Sequence, residues 1–267
     1  MAEVILANSE ALAKIKWLKT PHLPTEKVSV MAISEMETEL ISRLENEYKI
    51  AVLQVRPHPM LPSPIASHSD INLFDCGNGS ILVLKDSPKE TVDNLLEIGA
   101  NIEFSSGTPA KQYPDDALLD AALFGDSCFL NSKSADEKIL SFCEANGKEI
   151  INVKQGYTKC SMLLLPNRSI ITSDRGIALK ARKKQFNVLE IEEGYVELKG
   201  YSCGMFGGCC GMLSSDCVAF AGDLHTHPSC DSIIAFCRDL HIFTEPLDSG
   251  NLRDVGGFLP LAEVDKQ

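Results

Sequence analysis

The sequence predicts an α/β fold in which five ββαβ units close into a propeller-like ring, and three observations carry that prediction. Four apolar runs of strand length start at Ser80, Ser127, Ser169 and Cys217, each after a turn rich in Gly, Asn, Asp or Ser. Each run is flanked by a preceding strand and by a following amphipathic helix and strand. The front of the chain holds a unit without its first strand, and the C-terminus holds a strand without a unit.

Taken in order, unit one covers residues 28–56. VSVMAIS from Val28 feeds the helix EMETELISRLENEY, whose apolar residues recur at three and four spacing, and then the strand KIAVLQV. Units two to five cover residues 67–106, 113–154, 157–193 and 205–247. Their first strands are expected in DINLFD, DALLDAALF, CSMLLL and CCGML. Turn signals such as Cys76-Gly77-Asn78-Gly79 and Pro166-Asn167-Arg168 join these to SILVLKD, SCFLNSK, SIITSDR and CVAFAGD. The helices PKETVDNLLEIG, ADEKILSFCEANG, GIALKARKKQF and PSCDSIIAFCRDL follow, then the strands NIEFSS, KEIINVK, NVLEIEE and HIFTEPL. GGFLPL, within a closing strand at 255–261, supplies the strand that unit one lacks, so residues 1–267 are expected to form one domain. An ordinary open α/β sheet is the competing arrangement, but a simple βαβ repeat has no hairpin inside each unit.

Five ββαβ units in this length resemble the pentein fold of the guanidino-group-modifying enzymes: arginine and agmatine deiminases, dimethylarginine hydrolase and amidinotransferases. The stretches QGYTKCSMLLLPNRSIITSDRGIA, FGGCCG and LRDVGGFLPL also resemble a bacterial branch of that superfamily. The resemblance implies a site where the first strands converge on the ring axis. It also implies a cysteine attacking a guanidinium carbon, a histidine acting as acid and base, and carboxylates holding the cation.

The unit entrances carry the polar residues such a site needs: His68-Ser69-Asp70, Asp115-Asp116, Lys159-Cys160, Gly207-Gly208-Cys209-Cys210 and Arg253-Asp254. His68, Asp70, Asp116, Cys210 and Asp254 are the expected ligand-binding residues. The late Gly-Gly pair that precedes the family's nucleophile corresponds to Gly256-Gly257-Phe258, without cysteine, and Lys159-Cys160 stands where the histidine belongs. Two readings follow. In one, the pocket binds a small cationic or amino-acid-like ligand without the family's catalysis. In the other, Cys160, its pKa lowered by Lys159, is a relocated nucleophile of an amidinohydrolase or transferase.

AGDLHTHPSC offers a third reading. His225, His227 and, at the matching spacing, Asp239 resemble the zinc motif of JAMM isopeptidases, but Phe236 stands where that family has serine. The repeat explains the stretch as a fifth strand-to-helix link, with Pro228 near a first helical turn and the histidines on a surface loop. No metal ligand and no cofactor are therefore expected.

The net charge of −12, from 25 basic and 37 acidic residues, disfavours nucleic acid as a partner. The basic run Lys180–Lys184 reads as a solvated helix face. MAEVILANSEALAKIKWLKT lacks the pattern of a secretory signal, and no segment approaches a membrane span, so a cytosolic protein with no membrane partner is expected. The ten cysteines show no paired framework and are expected as mostly buried thiols. Oligomeric state is left open.

Overall fold

A computed structural model describes residues 15–265; residues 1–14, most of the segment read for a targeting signal, lie outside the described residues. Five small sheets follow one another along the chain. Sheet one holds β1 (Lys16–Trp17), β2 (Val28–Ser34), β3 (Ala51–Val55) and the far-end strand β16 (Leu259–Glu263), with α1 (Thr38–Asn46) between β2 and β3. Sheet two contains α2 (Ser69–Asn72), β4 (Leu73–Gly77), β5 (Ser80–Val83), α3 (Lys89–Glu97) and β6 (Asn101–Phe104). Sheet three contains β7 (Ala122–Phe124), β8 (Ser127–Leu130), α4 (Glu137–Ala145) and β9 (Glu149–Asn152). Sheet four contains β10 (Met162–Leu165), β11 (Ser169–Thr172), α5 (Arg175–Lys183) and β12 (Asn187–Glu190). Sheet five contains β13 (Cys210–Ser214), β14 (Cys217–Phe220), α6 (Cys230–Asp239) and β15 (Phe243–Pro246).

In every sheet the first strand pairs antiparallel to the second, and the second pairs parallel to the third across the helix. The hairpins turn through residues that tolerate positive φ, such as Asn78, Asn167 and Arg168. Asp136 and Asp174 cap α4 and α5 by accepting from the N–H groups of Lys138 and Ile177. The basic run at the end of α5 is exposed at Lys180, Arg182 and Lys183 and complements the helix dipole.

The ring closes through the C-terminus. β16 lies between β1 and β2 and is antiparallel to both, with Leu259 opposite Ala32 and Lys16 opposite Glu263. Residues 255–258, expected in this strand, instead turn into it, and the strand extends to Glu263. Apolar clusters fill the seams between neighbouring sheets. Leu163, Ile171, Phe206, Phe220 and Ile233 join sheets four and five, while Met31, Ile33, Leu213, Ala221 and Phe258 join five and one. Each large side chain buried there contributes about 1.5–3 kcal/mol.

One expectation needs correction at four places. The first strands start later than the apolar pattern suggests, because a helical or 3-10 turn or a looser turn occupies each entrance: Ser69–Asn72, residues 114–120, residues 158–160 and Phe206–Cys209. No helix among the described residues is long and apolar enough to cross a membrane.

Candidate functional site

The entrance turns meet where β13 packs against β10, β2 and β16. A helical turn lets consecutive polar residues point inward, which a strand with alternating faces does not. His68 and Asp70 come from the turn before β4, Asp120 from the turn before β7, Lys159 and Cys160 from the turn before β10, and Asp254 from the turn into β16. All six are buried, Asp70 at 3% and Cys160 at 2% exposure.

A ring nitrogen of His68, a carboxylate oxygen of Asp70 and Sγ of Cys160 lie within 4.8 Å of one another. Asp120 Oδ1 accepts from the N–H groups of Lys159 and Cys160. Asp254 accepts from the N–H groups of Met205 at 2.8 Å and Gly256 at 3.1 Å, and stands 3.7 Å from His68 Nδ1. Lys159 Nζ donates to the Gly207 carbonyl at 3.2 Å. Several atoms of the centre have no hydrogen-bond partner: both oxygens of Asp70, Oδ2 of Asp120 and Nδ1 of His68. An unpaired buried polar atom of this kind costs about 1–3 kcal/mol.

Gly256 and Gly257 form the wall on the C-terminal side. Both have positive φ, +78° and +72°, and a Cβ on Gly256 would stand 2.4 Å from His68 Cα. A Cβ on Gly257 would stand 3.3 Å from Asp70 Oδ2 and 3.4 Å from Lys159 Nζ. The Gly256 carbonyl accepts from Ser69 Oγ and the Asp70 N–H, which ties the late turn to the sheet-two entrance.

Burial pushes the Asp70 and Asp120 carboxyls up, and for Asp70 the neighbouring Asp120 adds to it while Lys159 and His68 oppose it. The expectation that Lys159 lowers the Cys160 pKa is corrected here. Burial pushes that thiol well up, and Asp120, Asp70 and Asp254 push it further.

The structure thus brings together His68, Asp70, Lys159, Cys160 and Asp254. Asp116 is buried as well: its Oδ2 accepts from the Tyr157 hydroxyl at 2.6 Å, and its Oδ1 has no hydrogen-bond partner. Cys210 directs its thiol to the Phe206 carbonyl at 3.1 Å and lines a cavity of about 10 Å³ with His22 and Lys159. That volume is near the minimum for one water. Asp120 and His22 are the residues that sequence reasoning missed. Asp120 lies in the same DALLD run as Asp116, and only the late start of β7 selects it. An open groove of about 400 Å³ at Lys85, Ser87, Phe104 and Lys138 contains none of the candidate residues.

The zinc motif of AGDLHTHPSC does not assemble. Exposed His225 contacts Asp223 at 2.9 Å, whereas His227 accepts from the Ser229 N–H and packs edge-to-face with Tyr195 and Phe206. His227 is 3% exposed, so the expected surface loop holds only one of the two histidines. Asp239 ends α6. Among the described residues, the one group with metal-ligand spacing is His68, Asp70 and Cys160.

A family model described as a family of unknown function (DUF6873) matches residues 32–259. None of the curated proteins matches the chain by sequence. Among solved structures, the chain is similar to an amidinotransferase from Microseira wollei in the saxitoxin biosynthetic pathway. That pair has a TM-score of 0.62 and 10% identity, covering 94% of this chain and 98% of that one. An inosamine-phosphate amidinotransferase from Streptomyces griseus gives 0.58 at 11% identity, covering 94% and 98%. The agmatine deiminase of C. jejuni gives 0.54 at 12% identity, covering 96% and 98%. At such identities the likeness shows the fold, which is that of the penteins.

Proposed function

We propose that this chain, which belongs to the DUF6873 family of unknown function and has the pentein fold, binds a small cation at its axial polar centre without the covalent chemistry of the guanidino-modifying enzymes. The observation that carries this reading is the Asp70 carboxylate, buried with both oxygens unpaired beside the unpaired Oδ2 of Asp120. Buried carboxylates without partners are offset best by a positive charge. Lys159 fills that role only in part: its ammonium opposes the upward push on both carboxyls, while its Nζ donates to the Gly207 carbonyl.

The departures from the family's chemistry support the non-covalent side. Phe258, and not a cysteine, follows the late glycines and is buried in the seam between sheets five and one. Cys160, the other thiol at the centre, is held as a thiol by burial and by three carboxylates. A nucleophile needs the reverse environment.

Calorimetric titration tests the reading. Guanidinium, agmatine, L-arginine and divalent metal ions form the panel, with urea and L-citrulline as neutral controls. At least one cation should bind saturably, with affinity about 10- to 100-fold weaker in Asp70→Asn, the loss of one charged partner. No ammonia or ureido product should accumulate. Turnover of agmatine or arginine that disappears in Cys160→Ser would overturn the proposal, as would silence of the whole panel.

A further inference from the structure

We propose that His68, Asp70 and Cys160 bind one divalent transition-metal ion of the zinc type. The proposal rests on the reading of the centre as a cation site and names the cation. Its first support is size. Donors within 4.8 Å of one another can all reach a single ion. Ligands on a shared zinc ion stand about 3.5 Å apart, given bonds of about 2.0–2.3 Å, so side-chain shifts of about 1 Å complete the shell.

The second support is the state of the donors. Both Asp70 oxygens, His68 Nδ1 and Asp120 Oδ2 are buried and unpaired. Folded proteins pair such atoms with protein, water or an ion, and the three residues whose donor atoms lie within 4.8 Å of one another, His68, Asp70 and Cys160, form an arrangement that one ion satisfies at once. Asp120 supports them from outside: its Oδ1 accepts from the Lys159 and Cys160 N–H groups and so holds the Cys160 backbone in place, as outer contacts orient metal ligands generally.

The third support is donor chemistry. One thiolate, one imidazole and one carboxylate select a borderline ion such as zinc over magnesium or calcium, which take oxygen alone. On binding, the Cys160 S–H proton leaves to solvent and the sulfur lone pair forms the metal bond. The Asp70 and Asp120 carboxylates and that thiolate are then balanced by one divalent ion and the Lys159 ammonium. Gly257 keeps the remaining side open, because a Cβ there would press on Asp70 Oδ2 and Lys159 Nζ.

Cobalt(II) added to full-length, chelator-treated protein tests this directly. One equivalent should produce a thiolate-to-cobalt charge-transfer band, which one equivalent of zinc removes. Elemental analysis after dialysis against zinc should give one ion per chain. Cys160→Ser should abolish the band, and His68→Ala and Asp70→Asn should weaken zinc binding at least 10-fold. Cys217→Ala and the pair His225→Ala/His227→Ala should leave both readouts unchanged. The wild-type band reports thiolate ligation even where a variant fails to fold. Absence of that band, or metal lost with Cys217 or the His225/His227 pair, would overturn the inference. If agmatine or guanidinium binds and zinc does not, the metal assignment fails while the cation reading stands; if neither binds, both fail.

Discussion

Asp75 is buried on β4, with one oxygen taken by the Gly77 N–H and the other unpaired, and burial pushes its carboxyl up to about 7. In the unfolded chain the same group titrates near pH 4. Between those values the folded state holds a proton that the unfolded state has released, so stability from this group is full below about pH 4 and falls as pH rises towards 7. The slope is at most about 1.4 kcal/mol per pH unit. Asp75→Asn keeps the acceptor for Gly77 and removes the titration. Urea unfolding should show a flatter pH dependence, with the variant near wild type at pH 4 and more stable at pH 8; identical slopes would refute the assignment. The same effect governs Cys160, and it was not legible in the sequence. Lys159 is next to Cys160 in the chain, yet the groups that act on the thiol come from Asp120, Asp70 and Asp254. Sequence proximity identified the residues of the centre and misjudged the sign of their field. Asp116 and Asp120 were indistinguishable for a related reason: both are aspartates in one run, and the choice between them depends on where β7 starts.

The elements show where the repeat was readable. The five middle strands and five helices were legible because an apolar run followed by three and four spacing is a strong local signal. The entrances were not. Leu, Ile and Ala in DINLFD and DALLDAALF are apolar whether they sit in a strand or in a turn packed against the next sheet, so the pattern extended the strands over residues that are helical or bent. The site depends on those turns and on the late glycines opposite them. Gly256→Ala and Gly257→Ala each force a side chain into a left-handed backbone at about 1–2 kcal/mol. At Gly256 the new Cβ would stand 2.4 Å from His68 Cα, whereas at Gly257 the nearest backbone atom is the Gly207 carbonyl oxygen at 3.3 Å. Gly256→Ala should therefore destabilise by more than about 4 kcal/mol, the range of severe single mutations, and Gly257→Ala by less. Chemical denaturation of the two variants checks the order, and equal losses would show that the turn yields where the close approach is drawn.

At the scale of the whole molecule, closure is the claim with the largest consequence. β16 pairs with β1 and β2 at once, Leu18 N–H donates to the Leu261 carbonyl at 3.0 Å, and Glu263 receives Lys16 and both the N–H and hydroxyl of Thr25. The segment also carries the wall of the polar centre, Asp254 to Gly257, and the buried ring of Phe258. Deleting residues 255–267 would open an edge on β2 and empty the seam between sheets five and one. A chain of five sheets that close on one another shares each seam between two neighbours, so losing one strand weakens the ring as a whole. The truncated protein should show no cooperative thermal transition near the wild-type midpoint. Phe258→Ala, which keeps the strand and removes only the ring, should lose about 3–5 kcal/mol and still unfold in one step. A peptide of residues 255–267 added to the truncated chain should restore the transition in a concentration-dependent way, because it can re-enter as a strand between β1 and β2. Truncated protein that melts like wild type would mean that β16 adds nothing to closure, and the ring would then be an open row of sheets.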